Sequence, residues 1–318
     1  MRLVTYAARG QIRLGALEGP WIIDLTRAGH LLYQVRGASR PAAHARAVLP
    51  PSMVRFLAGG EEGMDAAREA LGVVRARMTD PADLRHLEEQ GVLWRADATR
   101  LLPPVPTPPK ILCVGRNYAE HAREGGSEPP DVPIFFGRFR HTLLGPGEPF
   151  VLPRVSSQVD FEGELAVVVG RGGRDIPEDR ALESVAGYTI FNDISVRDYQ
   201  RRTSQWMIGK NFDRSGPLGP ALVTRDEVPD PQDLLLTVDV SGERMQEAST
   251  GTMIFSVAFL VAYISQILTL EPGDLIATGT PSGVGFARTP PRWLRDGDVV
   301  RVSITHLGVL ETPIVAAG

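Results

Sequence analysis

The chain is poor in the residues and motifs that would mark disulfide, nucleic-acid or membrane chemistry. Its 318 residues include one cysteine, Cys113, which excludes an intramolecular disulfide and fits a reducing cytoplasm. Cys113 lies in the apolar run Ile111-Leu112-Cys113-Val114 and reads as a packed core thiol. Basic residues are outnumbered, 34 against 38 acidic, for a net charge of −4, so a phosphate-binding surface is not expected. There is no GxSxG elbow, no HExxH and no CxxC. The N-terminus, MRLVTYAARGQIRLG, has no apolar signal-peptide core. The one long apolar run, TMIFSVAFLVAYISQILTL (252–270), is interrupted by Ser256, Tyr263, Ser265 and Gln266 and stopped by Glu271-Pro272-Gly273. It reads as a helix buried between layers rather than a membrane span.

What is present divides the chain in two. LLPPVPTPPK (101–110) carries five prolines in ten positions; proline fixes φ and restricts its predecessor, so this is an extended connector. Before it, RLVTYAA, QIRLGAL and WIIDLT predict short strands with turns at Gly10 and Gly19-Pro20, and helical patterns follow around 40–59 and 61–78. Residues 1–105 are expected to form a small accessory α+β domain and 106–318 the main domain. There the pattern predicts strands at 110–114, 133–136, 161–169, 186–192, 220–223, 234–240, 274–277, 298–305 and 308–315. Helices fit 117–124, 178–184, 195–203 and 253–268. Strands and helices do not alternate, so a mixed, mostly antiparallel α+β fold, mostly β, is expected instead of a doubly wound sheet.

Five stretches could carry chemistry. In VDFEGELAVVVG (159–170), Asp160, Glu162 and Glu164 stand at every second position, one face of a strand. Carboxylates roughly 6.6 Å apart on a buried face repel and are costly to desolvate, unless a hard cation joins them. The plain alternative is a solvated face; Gly163, on the other side, points to close packing there. In GYTIFNDISVRDYQ (187–200), Asp193 is either a helix N-cap or a third oxygen ligand at a strand end, while Arg197 and Gln200, three apart, could address one anion or carbonyl. In GRNYAEHARE (115–124), His121 and Glu124 are either a surface pair or an oriented general base. In WMIGKNFD (206–213), Lys210 follows Gly209, and an exposed loop lysine is the alternative. ATGTPSGVG (277–285) offers backbone amides with Thr278 and Thr280, but its glycines lack nucleotide-binding spacing.

Taken in order, GRNYAEHARE, DFEGEL, FNDISVRDYQ, GK and TGTPSGVG resemble the fumarylacetoacetate hydrolase family over about 110–315, and segments such as GPLGPALVTRDEVPDPQDLLLTVDVSGERMQ resemble its bacterial 2-oxo-acid branch. The resemblance implies that family's mixed β-sandwich or roll, with residues 1–105 as the variable N-terminal domain. It implies Mg²⁺ or Mn²⁺ (Ca²⁺ being possible in crystals) held by Glu162, Glu164 and Asp193, with Asp160 behind them or solvated. It implies His121 and Glu124 as the catalytic pair, Lys210 as the group polarising the substrate carbonyl with Gln200 beside it, and Arg197 and Thr280 near the metal and the substrate carboxylate. The sequence departs from the pattern at FFGRF (135–139): Gly137 stands where relatives have a lysine, and Arg138 or Arg140 is the candidate substitute.

The activity so implied is metal-dependent hydrolysis of a C–C bond in a β-diketo acid of the acylpyruvate or fumarylpyruvate type, as in aromatic catabolism. Oxaloacetate decarboxylation and isomerisation or decarboxylation of a 2-hydroxyhepta-2,4-diene-1,7-dioate are the alternatives. A catalytically silent ligand-binding protein on the same scaffold is a third. The resemblance implies a cytoplasmic homodimer with a small-molecule keto-acid substrate, and no nucleic-acid or membrane partner.

Overall fold

The computed structural model describes residues 1–318. It is a mixed α+β structure, as expected, built on two sheets. The larger runs in the order Leu93–Arg95, Trp21–Asp24, Gln11–Glu18, Arg2–Ala8, Gly216–Thr224, Val185–Asn192, Gly163–Val169, Leu275–Ala277, Ile111–Gly115, Ile134–Gly137. Along this path only Leu275–Ala277 and Ile111–Gly115 pair in parallel. The smaller sheet holds Glu243–Ser249, Leu235–Val240, Val299–Ile304, Gly308–Val315 and Phe150–Val151.

The strand Gly163–Val169 is apolar on both faces because it lies between two layers. Leu165, Val167 and Val169 pack with Leu236, Val238, Val300 and Val302 of the smaller sheet. Ala166 and Val168 face the other way, into a core shared with Leu25, Phe56, Ala67 and Leu71 of the N-terminal helices. The two sheets approach closely at Gly163: a Cβ there would lie 2.4 Å from Val238 Cγ2 and 3.0 Å from Val302 Cγ1. The N-terminal strands thus extend the main sheet, with Leu3 opposite Leu222, and the N-terminal helices cover one of its faces.

Several boundaries differ from the sequence pattern. WIIDLT is a strand only to Asp24; the Asp24 carboxylate accepts from the Arg27 amide at 2.9 Å and starts the helix Leu25–Val35. The helical stretch 40–59 is two helices, Pro41–Val48 and Met53–Ala58, separated around Pro50-Pro51, as proline demands. Residues 178–184 form a 3₁₀ helix, not an α-helix. In place of one helix over 195–203 there is a strand, Ser195–Val196, then a single turn, Arg197–Gln200. The helix expected from 253 begins at Val257, capped by the Ser256 hydroxyl. No α-helix of the chain is long and apolar enough to cross a membrane.

Candidate metal and catalytic site

Two adjacent antiparallel strands explain how the acids meet. Gly163 is in register with Asn192 and Glu164 with Phe191, so Glu162 and Glu164 at the start of one strand face Asp193 just past the end of the other. A backbone bond from the Asp193 amide to the Glu162 carbonyl, 2.8 Å, closes the corner. One oxygen from each of Glu162, Glu164 and Asp193 falls within 4.8 Å of the others, and all three residues are buried.

The acidic row is not on one continuous strand, however. Val159–Asp160 pairs with Ser195–Val196 as a separate ribbon, and the main strand begins at Gly163. Asp160 is fully buried, which excludes a solvated position. Its carboxylate accepts from Arg197 Nε at 2.8 Å and from the amides of Gly285 and Phe286. Asp160 thereby anchors Arg197, whose other nitrogen donates to Glu162 at 2.5 Å.

The glycine loop at 277–285 has a role its spacing alone does not disclose. The amide of Gly279 donates to Glu164 at 2.9 Å, that of Gly283 to Glu124 at 2.8 Å, and that of Gly285 to Asp160 at 2.8 Å. Three amides thus hold three carboxylates. Side chains would obstruct this: a Cβ on Gly283 would lie 2.1 Å from the Met245 carbonyl oxygen, and one on Gly285 2.0 Å from that of Arg292. Thr280 Oγ1 donates to the Gly163 carbonyl at 2.8 Å and accepts from Gln246 Nε2 at 2.8 Å. Gln246 also accepts from the Gly163 amide at 3.0 Å. This clamp was not legible beforehand, because ERMQEAS, the strand that carries Gln246, has too many charges to read as a strand.

Cations complete the cluster. Lys210 is buried, not an exposed loop lysine, and its ammonium bridges Glu162 and Asp193, the latter at 2.6 Å. Gly209 lets its turn press onto Gln200, where a Cβ would sit 2.4 Å from the Gln200 amide nitrogen. Arg138 is buried, ion-pairs with Asp193 and donates to Ser215 Oγ at 2.5 Å, whereas Arg140 is exposed. Of the two candidate substitutes, Arg138 is the one that enters the cluster.

Four carboxylates, Asp160, Glu162, Glu164 and Asp193, therefore meet three cations, Arg138, Arg197 and Lys210. The imbalance falls on Glu164. Burial, then the charges of Asp193 and Glu162, hold its carboxyl well above the usual range. Burial also acts against the Glu162 charge, but Arg197 and Lys210 overcome it and hold Glu162 well below that range. Lys210 stays cationic: desolvation opposes its charge, and Asp193 and Glu162 outweigh it. An all-oxygen donor set with one negative charge in excess fits a hard divalent ion, which would leave one positive charge for a substrate carboxylate to cancel.

His121 lines the same cavity, about 310 Å³, as the three acids. Its Nδ1 lies 2.8 Å from Glu124 Oε1, and Glu124 is in turn held by Gly283. Both side chains are largely buried, so this is an oriented pair and not a surface salt bridge. Gln200 also lines the cavity and accepts from Arg197 Nη1 at 3.0 Å.

The family model described as fumarylacetoacetate (FAA) hydrolase C-terminal matches residues 110–315. The chain belongs to that family. It is 40% identical over 269 residues to "Oxaloacetate tautomerase fahd2, mitochondrial" of Xenopus laevis, covering 84% of this chain and 79% of that protein. Among solved structures, a putative HpcE protein from Mycobacterium smegmatis superposes with a TM-score of 0.80 at 35% identity, covering both chains completely. Maleylpyruvate hydrolase from Sphingobium sp. SYK-6, in complex with manganese(II) and pyruvate, gives 0.74 at 30% identity, again over the whole of both chains. The protein is thus similar to enzymes of this family.

Proposed function

We propose that the protein is a metal-dependent enzyme that enolises a 2-oxo acid, keto–enol exchange of an oxaloacetate-type acid being the primary reaction. One observation carries this: an imidazole oriented by a buried carboxylate shares a single cavity with a three-carboxylate cluster. The tautomerase relatives support the same reading. Glu162, Glu164 and Asp193 would hold Mg²⁺ or Mn²⁺. When bound, the ion supplies Lewis acidity toward the carboxylate and 2-oxo oxygens of the substrate. With Glu124 accepting from Nδ1, His121 presents Nε2 as the base that takes a proton from the substrate's C3 and passes it to the 2-oxygen, the reverse transfer restoring the keto form. Lys210 and Gln200 are the donors for the oxygen on which charge develops. Arg197, fixed by Asp160 and Glu162, and Thr280, fixed by Gly163 and Gln246, shape the carboxylate end.

Hydrolysis of a C–C bond in an acylpyruvate-type β-diketo acid is the second reading, favoured by the same dyad, which can activate a water as readily as it can take a carbon-bound proton. Incubation with Mg²⁺ and oxaloacetate, followed by enol absorbance and by CO₂ release, and in parallel with acetylpyruvate, separates the two. Accelerated enol exchange abolished by chelator supports the proposal. Cleavage of acetylpyruvate without enol exchange transfers it to the hydrolase. CO₂ release alone means a decarboxylase, and no metal-dependent change in any substrate ends all three. A cytoplasmic location and the homodimer implied by the family complete the proposal, and sedimentation would test the homodimer.

A further inference from the structure

Every cation on the cavity floor is spent on an acid, but two on its wall are not. Arg116 and Arg201 both line the cavity. The hydrogen-bond and ion-pair networks that engage Arg138, Arg197 and Lys210 include neither of them. Each is steadied by an aromatic ring instead: Arg116 Cζ lies 5.3 Å from the Trp206 ring centroid, and Arg201 Cζ 4.6 Å from that of Phe286. A ring holds a guanidinium by its face and leaves its in-plane donors free. Arg116 also adopts a left-handed backbone, φ 58°, a conformation that non-glycine residues enter where the surroundings demand it and which clusters at ligand sites. Its ring partner is seated tightly, since a Cβ on Gly115 would lie 2.2 Å from Trp206 Cζ3.

Building on the 2-oxo-acid reading above, we infer that Arg116 and Arg201 are specificity-determining residues that receive a second carboxylate, at the end of the substrate remote from the 2-oxo acid group. The substrate class is then a 2-oxo dicarboxylate rather than an acylpyruvate with a neutral tail. A divalent ion and one substrate carboxylate would bring the floor to balance, while Arg116, half-buried, and Arg201, exposed, keep their donors open to a further acid.

Pyruvate and oxaloacetate share the carboxylate and 2-oxo group and differ by the distal carboxylate, so calorimetric binding of each to Mn²⁺-loaded protein isolates it. Wild type is expected to prefer oxaloacetate by about tenfold or more, the worth of a charge-assisted contact. Arg116→Met/Arg201→Met should collapse that ratio to within about twofold, and the Arg→Lys pair, keeping charge without the fork, should leave it intermediate. An unchanged ratio in the methionine variant, with an unchanged melting curve, overturns the inference and leaves the parent reading intact. Failure of wild type to bind either acid with metal overturns the parent reading and the inference together.

Discussion

Two of the places where the molecule buries acidic groups are built on opposite plans. In the N-terminal sheet Asp24 is fully buried, yet it accepts from Tyr6 Oη at 2.6 Å, from Arg13 Nη2 at 3.1 Å and from the Arg27 amide at 2.9 Å, with Arg13 Nε as a further donor. Every lone pair has a donor and one acid faces one guanidinium. At the other site four acids face three cations, and Glu164 has a single backbone amide for its charge. A saturated buried carboxylate stiffens a fold. An unsaturated one holds its proton, and gives it up when a further cation arrives.

The sharpest way to break this contrast is to neutralise one acid at each site. Glu164→Gln should lower turnover at least about a thousandfold, roughly 4 kcal/mol of lost transition-state stabilisation, and abolish the rise in melting temperature expected of the wild type on adding Mn²⁺. Without metal it should melt no lower than wild type, because burial, Asp193 and Glu162 already hold that carboxyl toward its neutral form. Asp24→Asn should do the reverse: a loss of about 3–5 kcal/mol in denaturant unfolding, as for a broken buried pair, with Mn²⁺ affinity per folded molecule retained. If Glu164→Gln unfolds the protein as Asp24→Asn does, the cluster is structural.

His121→Gln comes next. It leaves all four acids in place, so Mn²⁺ binding by calorimetry should stay within about twofold while turnover falls about a hundredfold or more, the usual contribution of a general base. Equal losses in metal affinity and turnover would place His121 in the metal's own shell and remove it as the base.

How much of this could be read beforehand follows the range of the forces involved. The period-two acids and the third acid after Asn192 were visible because strand alternation is a local rule, but that rule left a solvated face and a helix cap open, and it was the family resemblance that grouped Glu162, Glu164 and Asp193. The break at Phe161-Glu162 was not, since it depends on Val159–Asp160 pairing with Ser195–Val196. Gly163 was legible as a close approach, although its partner, Val238, lies 75 positions away. The glycines of TGTPSGVG were visible as a loop but not as a carboxylate cradle, because Glu124 and Asp160 reach them from more than a hundred residues away. WIIDLT looked like a strand throughout, for its β-branched residues outweigh one acidic cap; only the structure shows Asp24 starting a helix. Arg138 was one of two candidates for the missing lysine, and nothing local distinguishes it from Arg140, two positions on and exposed.

The smallest effect is the one in which pH separates the two kinds of acid. Asp298 belongs to the saturated kind: it accepts from both Arg292 Nη atoms, at 2.9 and 2.7 Å, from Ser241 Oγ and from the Arg295 amide. Burial alone would raise its carboxyl, but Arg292 and these donors hold it below the ordinary range. A lowered folded-state value means that the native state releases its proton more readily than the unfolded chain does. Its contribution is therefore present above the ordinary carboxylate range and is lost as pH falls through the folded value. Partial exposure screens the pair, so the loss is about 1 kcal/mol or less. Glu164, held high, has the opposite sign: without metal the native state keeps a proton that the unfolded chain has released, and stability declines as pH rises past the ordinary range. Denaturant melts across pH on metal-free Asp298→Asn and Glu164→Gln should each remove one of these slopes, the first from the acid limb and the second from the limb above it. If both substitutions flatten the same limb, charge balance does not distinguish the two classes of buried acid.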